Sequence, residues 1–194
     1  MKLRSERFSG ALVGGTGISP SEMDYLWTPW RYQYVTKAGQ ADECIFCAAV
    51  ADTAHDRERL VVHRATRNLV MLNRYPYTSG HLMVVPHEHV ATLEALPDET
   101  LVELIRLARL AEMHLRAVYR PEGLNLGFNI GRSAGAGIAN HLHLHALPRW
   151  TGDTSFITAV GETRVLPEDL QVTWERLRQA FGVGQALPPA NLPR

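Results

Sequence analysis

The stretch NHLHLHALPRW, residues 140–150, contains three histidines at strict two-residue spacing, each followed by an aliphatic residue. In an extended segment, successive side chains point to opposite faces of a sheet. The three imidazoles then share one face, while the aliphatic residues enter the core. Imidazole is the side chain best suited to proton transfer and metal ligation near pH 7. The pattern therefore favours a reactive face over surface histidines on an edge strand, and its members are His141, His143 and His145.

The composition of the chain bounds its class. It has 194 residues, 45% of them hydrophobic, which suits one domain with a sizeable core. Twenty basic and twenty acidic side chains cancel, so no broad field predicts a nucleic-acid or membrane partner. We find neither the roughly 20 apolar residues of a membrane-spanning helix nor a signal peptide. We therefore expect a soluble, cytoplasmic protein in which any anion site is local.

The chain divides into three parts. Residues 1–22 are rich in Ser, Gly and Arg without periodicity, so we expect a flexible leader or a start codon placed too early. Residues 23–182 form the one domain, and residues 183–194 form a loose, proline-rich tail. The aromatic residues within 24–34 are expected to dock against the domain or against a second copy of the chain.

Hydrophobic patterns predict the fold class. Strand candidates lie at 60–64, 69–72, 81–86, 124–130 and 158–165, besides the histidine segment. Helices are predicted around 45–50, from Pro97 to about Tyr119, and over 167–181. The long helix should pack on the sheet through Leu101, Leu104, Ile105, Ala108, Leu110 and Ala111. Since neighbouring strands are joined by short turns, we predict an α+β fold, one antiparallel sheet with helices packed against it.

The loop before the histidines reads NIGRSAGAG, residues 129–137. Small residues let backbone N–H groups approach a phosphate closely. A plain hairpin turn is the alternative, but the neighbouring imidazoles favour an anion cradle. The candidate phosphate-binding residues in this loop are Ser133, Gly135, Ala136 and Gly137.

An imidazole on this face could act as a base, an acid, a metal ligand or a nucleophile. A nucleophile at phosphorus needs one neutral ring nitrogen aimed at the phosphorus, and an acceptor that holds its other N–H. His143 has an imidazole neighbour on each side along the face. It is therefore the best placed of the three for that role.

The only two cysteines, Cys44 and Cys47, lie in the sequence ECIFC. Their spacing suits a metal better than a structural disulfide that holds a large domain. A redox dithiol uses the same spacing, so the pair by itself leaves both interpretations open.

Two blocks of sequence resemble the histidine triad (HIT) family. NHLHLHALPRW is similar to its signature, His-φ-His-φ-His-φ-φ with φ apolar. MLNRYPYTSGHLMVVPHEH, residues 71–89, resembles the block Asn-x-x-Pro…Gly-His-x-φ-φ-φ-Pro-x-x-His that precedes the signature in HIT nucleotide hydrolases and transferases. The resemblance covers about residues 24–182, and it implies a HIT-like fold and a homodimer or higher homo-oligomer.

The resemblance implies roles for individual residues. His143 would be the catalytic nucleophile that forms a nucleotidyl-histidine, with His145 and the surrounding main chain helping to hold phosphate. His81 would lie near the α-phosphate or support the triad. Asn73 matches a position beside the ribose, and Asn129 matches a polar residue that contacts the phosphate chain. By themselves these residues could also be a strand-end histidine, a turn former and a sheet-edge amide.

The resemblance also implies structural zinc and no organic cofactor. In zinc-bearing relatives, a Cys-x-x-Cys pair is joined by a histidine after the Gly-His strand and by the first triad histidine. Two thiolates and two imidazoles make a closed tetrahedral site, which would tie the N-terminal segment to the catalytic strand. The matching residues are Cys44, Cys47, His89 and His141, with His87 as a rival ligand.

The chain departs from the common HIT pattern at Ala134–Gly137, where Ala-Gly-Ala-Gly replaces Ala-Gly-Gln with one extra residue. Together with WTPWR at 27–31 and GDTSF after the histidines, this loop resembles the bacterial branch related to diadenosine tetraphosphate phosphorylases. In that branch Trp150 would stack on or wall the nucleotide site, although an aromatic residue after a strand is often simply core.

The reaction implied is cleavage of diadenosine tetraphosphate. His143 would attack the α-phosphorus, ATP would leave, and inorganic phosphate would release ADP from the adenylyl-histidine. Three alternatives stay open: a hydrolase that uses water, a HINT-type purine nucleoside phosphoramidase, and a zinc-stabilised nucleotide-binding protein without turnover. We expect no nucleic-acid partner, because the chain has no basic extension.

Overall fold

The computed structural model describes residues 44–154 and 166–182. In this part of the chain, five strands form one antiparallel sheet in the order β1-β2-β3-β5-β4. The strands are β1 Val61–Arg64, β2 Asn68–Leu72, β3 Leu82–Pro86, β4 Gly123–Phe128 and β5 Leu144–Arg149. The helices are α1 Ile45–Ala51, α2 Asp56–Arg59, α3 Asp98–Tyr119 and α4 Leu170–Gly182, with a 3-10 turn at Arg132–Ala134. The predicted α+β class is confirmed.

Some predictions concern other parts of the chain. The leader at 1–22, the aromatic stretch at 24–34, the strand at 158–165 and the tail at 183–194 lie outside the described residues. Among the helices that are described, none has both the length and the apolar character needed to cross a membrane.

The sheet is covered on both faces, which explains the continuous apolar runs of its central strands. Every residue of β2 and β3 is buried, as expected for strands that pack on both sides. On one face, side chains such as Leu72 and Leu82 form a large core with α3 and α4. On the other, which we call the α1 face, Phe46 of α1 belongs to a smaller cluster with Leu69, Met71, Met83 and Val85.

Helix α3 supplies much of the large core. It follows Pro97, carries Asp98 and Glu99 in its first turn, and ends before Arg120, whose φ is 47°. This matches the predicted start, because acidic side chains stabilise the positive end of the helix dipole. Its buried stripe includes Leu104, Leu107, Ala108, Leu110, Ala111 and Leu115.

Including Ile105 in that stripe was wrong, because its side chain is 52% exposed. Successive residues lie about 100° apart around a helix. Ile105 therefore points away from the face centred on Leu104, Ala108 and Ala111, and Leu107 occupies the core instead.

The histidine segment is only partly a strand. β5 pairs with β4 from Leu144 to Arg149, so regular pairing begins one residue after His143. Before that point, the backbone N–H of Leu142 donates to Val90 O at 2.6 Å. The aliphatic side chains still enter the large core, as predicted, and they are Leu142, Leu144 and Ala146.

Gly80 is required where the chain turns into β3. Its φ is +81°, and a Cβ there would lie 2.8 Å from Cε2 of Tyr119. Both facts exclude an ordinary side chain. The turn thereby brings His81 to the start of β3, beside β5.

Candidate active site

A cavity of about 740 Å³ lies on the α1 face of the sheet. Its volume is within the range of about 300–1,000 Å³ that is usual for small-molecule sites. Apolar side chains of the smaller core, among them Phe46, Met71 and Met83, form part of its wall. The predicted site residues that line it are Asn73, Gly135, Gly137, His143 and His145.

The ring of His143 is neutral, and one of its two nitrogens, Nε2, keeps its lone pair. Its Nδ1 lies 2.9 Å from the carbonyl oxygen of His141. Because a carbonyl oxygen only accepts, Nδ1 carries the hydrogen and Nε2 carries the lone pair. Burial lowers the pKa of His143, against a smaller upward effect of the bond to His141. A neutral nitrogen is therefore available at the cavity wall, as a nucleophile requires.

His145 is held in the opposite tautomer. The backbone N–H of Tyr77 donates to Nδ1 of His81 at 3.2 Å, so the neutral His81 ring carries its hydrogen on Nε2. That Nε2 lies 2.9 Å from Nδ1 of His145, which must accept. The hydrogen of His145 is therefore on Nε2. Burial first, and then electrostatic coupling to the neighbouring His143, lowers the pKa of His145 to about 4.

The side-chain amide of Asn129 lies beside His145, with 3.5 Å between its Nδ2 and Nε2 of His145. The hydrogen on Nε2 of His145 and the amide hydrogens of Asn129 are the donors here that would suit an acceptor such as a phosphate oxygen. Asn73, which also lines the cavity, is only 9% exposed, and its Oδ1 accepts the backbone N–H of Tyr75 at 2.9 Å.

The glycine loop reaches the cavity with only part of its length. Gly135 and Gly137 line the wall, while Ser133 is exposed and Ala136 is buried outside the lining. The N–H groups of Ala134, Gly135 and Ala136 donate to carbonyls within the loop. Among the described residues, no loop carbonyl accepts the N–H of Gly137. That group is the clearest main-chain donor the loop offers to a ligand.

Trp150 lies at the far end of β5 from the histidines. Its ring is 6.4 Å from that of Tyr119 in a nearly perpendicular arrangement, with 79° between the planes. It is not among the described residues that line the cavity.

The predicted metal ligands lie together. One donor atom from each of Cys44, Cys47, His89 and His141 lies within 4.8 Å of all the others. Sγ of Cys47 is 3.1 Å from Nδ1 of His89 and 3.6 Å from Nδ1 of His141, and Sγ of Cys44 is 3.4 Å from the same His141 atom. Tetrahedral zinc with ordinary bond lengths separates sulfur and nitrogen ligands by about 3.5 Å. The four side chains thus fit a tetrahedral metal.

The surroundings of the cluster also suit a metal. Nε2 of His141 lies 3.0 Å from Pro86 O, so Nε2 carries the hydrogen and Nδ1 presents its lone pair to the sulfurs, the usual arrangement of a metal-bound histidine. His87, the rival ligand, is outside the cluster, and its buried Nε2 has no hydrogen-bond partner in the described part of the chain.

Several lining residues were not predicted. Phe46 is one residue before Cys47, and Tyr77 is in the turn before β3, where its ring is 4.7 Å from that of His81. Arg59 and Arg74 border the same cavity. An aromatic residue between two cysteines was a usable signal, whereas the arginines show no motif in the sequence.

Comparisons with known proteins identify the family. The family model of the HIT domain matches residues 55–152. The chain is 40% identical over 158 residues to the AP-4-A phosphorylase of Mycobacterium tuberculosis, covering 78% of this chain and 81% of that protein.

Solved structures give the same result. A zinc-bound histidine triad family protein from Mycobacterium smegmatis has a TM-score of 0.58 and 28% identity, over 73% of this chain and 94% of that one. A hypothetical histidine triad nucleotide-binding protein from Sulfolobus tokodaii has a TM-score of 0.57 and 28% identity, over 72% and 93%. With the family model matching half of its length, this chain belongs to the HIT family.

Proposed function

We propose that the protein is a nucleotidyltransferase that cleaves diadenosine tetraphosphate with inorganic phosphate, through an adenylyl-histidine at His143. The observation that carries the proposal is the pair of opposite tautomers in one cavity. His143 offers a lone pair on Nε2, and His145 offers a hydrogen on Nε2. The similarity to a protein named AP-4-A phosphorylase supports the substrate class.

In the first step, the lone pair of His143 Nε2 attacks the α-phosphorus. An N–P bond forms, the bond from that phosphorus to the bridging oxygen breaks, and its electron pair leaves with ATP. The Nδ1 hydrogen stays bonded to the carbonyl of His141, so the positive charge that develops on the ring is stabilised as it forms. Phosphoryl transfer depends on positioning and charge stabilisation, to which His145 and Asn129 contribute N–H donors.

In the second step, an oxygen of inorganic phosphate attacks the same phosphorus. The N–P bond breaks, its electron pair returns to Nε2, and ADP leaves. His143 is again neutral, a form favoured by the burial that lowers its pKa. Water as acceptor would give AMP instead, and the protein would then be a hydrolase.

The remaining residues would bind the nucleotide. The nucleoside would occupy the apolar part of the cavity, with Asn73 beside the ribose and Gly135 and Gly137 along the phosphates. In this proposal Ser133, Ala136 and Trp150 contact the nucleotide in its bound state, or across an interface between two copies of the chain. His81 would act through its bond to His145.

We propose zinc as the metal of the Cys44–Cys47–His89–His141 cluster. Two thiols and two imidazoles form the donor set that zinc favours, and four protein ligands leave no open position for a substrate. When bound, zinc would supply a structural crosslink between the N-terminal side of α1 and the segment that precedes β5. No step of the reaction passes through it.

Products distinguish the proposed function from its alternatives. Purified protein is incubated with diadenosine tetraphosphate, with and without inorganic phosphate. We expect ATP and ADP, with turnover that depends on phosphate. AMP and ATP without phosphate would indicate a hydrolase, and faster turnover of adenosine-5′-phosphoramidate would indicate the phosphoramidase. No turnover of any of these would leave a nucleotide-binding protein.

The resemblance also predicts a homodimer or higher homo-oligomer, and the composition of the sequence predicts a cytoplasmic protein. Sedimentation equilibrium of the full chain would give the mass of the assembly, and a monomer would contradict this part of the proposal. Fractionation of cells would test the compartment.

A further inference from the structure

Phe46 contacts both a member of the cluster of candidate metal ligands, His141, and the proposed nucleophile, His143. It follows Cys44 by two residues and precedes Cys47 by one, and its side chain is 1% exposed. Its ring centroid lies 5.2 Å from that of His141 and 4.8 Å from that of His143. The same side chain forms part of the cavity wall. One buried ring therefore contacts a metal ligand, the nucleophile and the space for the nucleotide.

His141 provides a second connection. Its Nδ1 faces the two sulfurs, its Nε2 is bonded to Pro86, and its carbonyl oxygen accepts the Nδ1 hydrogen of His143. The residue that would bind the metal through its side chain thus fixes the tautomer of the nucleophile through its main chain. A rotation of this residue would move both groups.

Helix α1 has little intrinsic stability to hold Phe46 in place. It is seven residues long, and no side-chain hydrogen bond caps it at Cys44. Isolated helices shorter than about 12–15 residues are marginal in water. Its C-terminal end is held by Arg64, whose guanidinium donates to the carbonyls of Ala49 and Val50. The position of its first turn depends on burial of residues such as Phe46, and on whatever joins that turn to His89 and His141.

We infer that Phe46 and His141 are positioning residues that couple occupation of the metal centre to the orientation of His143 and to the binding of a nucleotide. For its effect on the reaction, this inference rests on the proposed function. Because coupling between two sites is reciprocal, a metal that strengthens nucleotide binding is itself bound more tightly when the nucleotide is present.

The first test measures AMP binding by calorimetry to the zinc-loaded protein and to protein stripped by a chelator, with circular dichroism to check the fold. We expect AMP to bind about tenfold more weakly without zinc, within the usual range of such couplings. Zinc affinity should rise by the same factor in the presence of AMP. Equal AMP affinity with and without zinc would contradict the inference.

A matched pair of variants separates positioning from general loss of packing. Phe46→Leu and Phe181→Leu make the same change at buried rings, 1% and 7% exposed, but Phe181 contacts His63 and His114 instead of the triad. Only Phe46→Leu should reduce the zinc–AMP coupling factor towards one. If both variants keep the wild-type factor, or both lose it equally, Phe46 is not the connection.

A spectroscopic test needs no nucleotide and no turnover. Long-range proton–nitrogen spectra of histidine-labelled protein should show His143 with hydrogen on Nδ1 in the zinc-loaded protein. Removing zinc, or replacing Phe46 by Leu, should change these signals, whereas Phe181→Leu should leave them in place. Unchanged His143 signals on zinc removal would overturn the inference. Coupling found in a protein that does not cleave diadenosine tetraphosphate would refute the proposed function alone.

Discussion

In the described part of the chain, two groups of histidines lie on opposite faces of the sheet. His63 and His114 are half-buried and both contact the ring of Phe181, with centroid distances of 5.5 and 4.4 Å. His143 and His145 lie on the α1 face. Burial is the largest cause of a lowered pKa in all four. A lowered pKa therefore does not by itself distinguish a reactive histidine from a packed one.

The two groups of histidines differ in the hydrogen bonds that their ring nitrogens make. Within the described part of the chain, the rings of His63 and His114 have no hydrogen-bond partner, whereas a ring nitrogen of His143 bonds to a carbonyl and one of His145 bonds to His81. A fixed tautomer beside a cavity gives each ring nitrogen a defined role. We expect substitutions in the two groups to have different consequences.

The largest effect is expected from His143→Ala. Without the nucleophile, turnover of diadenosine tetraphosphate should fall by about three orders of magnitude or more, because the covalent route is lost. The measurement is kcat with phosphate present, on protein whose circular dichroism matches the wild type. His114→Gln is the control and should keep kcat within about twofold, as for a packing residue. Comparable losses of kcat in both variants would show that the two groups of histidines do not differ in function.

A smaller effect is expected at His81, which acts through His145. His81→Leu removes the donor to Nδ1 of His145, so the hydrogen on Nε2 is no longer enforced. We expect kcat to fall about 10–100-fold, the usual cost of losing such a supporting bond. His81→Gln keeps an N–H donor and should recover part of the rate. Equal rates in the two variants would indicate a packing role only.

Lowering the pH should reduce the stability that both groups of histidines contribute, but only the group at the cavity should affect the activity. Each of these histidines has a folded pKa below its ordinary value of 6.5, and that of His145 is about 4. The unfolded chain therefore binds more protons below about pH 6.5. Stability is fully present above that pH and is lost as the pH falls towards about 4.

The variant His114→Gln tests this contrast. It should reduce the fall in melting temperature between pH 7 and pH 5, because the protonation of His114 on unfolding no longer contributes to that fall. The acid limb of the kcat profile should stay where it is in the wild type, because His114 is not among the described residues that line the cavity. A shifted kcat profile would show that the two groups are linked.

Much of the site could be predicted because it is encoded locally. Alternation along residues 140–150 predicted which side chains enter the core. The Cys-x-x-Cys spacing was compatible with a metal or a redox dithiol, and the family resemblance supplied the two histidines that lie beside it. The start of β5 at Leu144 was not predictable, because it depends on where β4 ends and on the bond from Leu142 to Val90.

Local sequence patterns could not predict contacts between residues that are far apart in the chain. His81 and His145 are 64 residues apart, and their bond exists only because β3 pairs with β5. The contact of Phe46 with His143 likewise requires α1 to pack on the sheet. The glycine loop looked like a phosphate cradle, yet the N–H groups of Ala134, Gly135 and Ala136 are used to form its own turn.

The most direct test of the central claim is mass spectrometry of protein quenched in acid-free denaturant during turnover of diadenosine tetraphosphate. We predict a peptide that contains His143 with the added mass of an adenylyl group, and its loss when phosphate is added in excess before quenching. Unmodified peptide throughout turnover, or the adenylyl group on another residue, would contradict the assignment of His143 as the nucleophile.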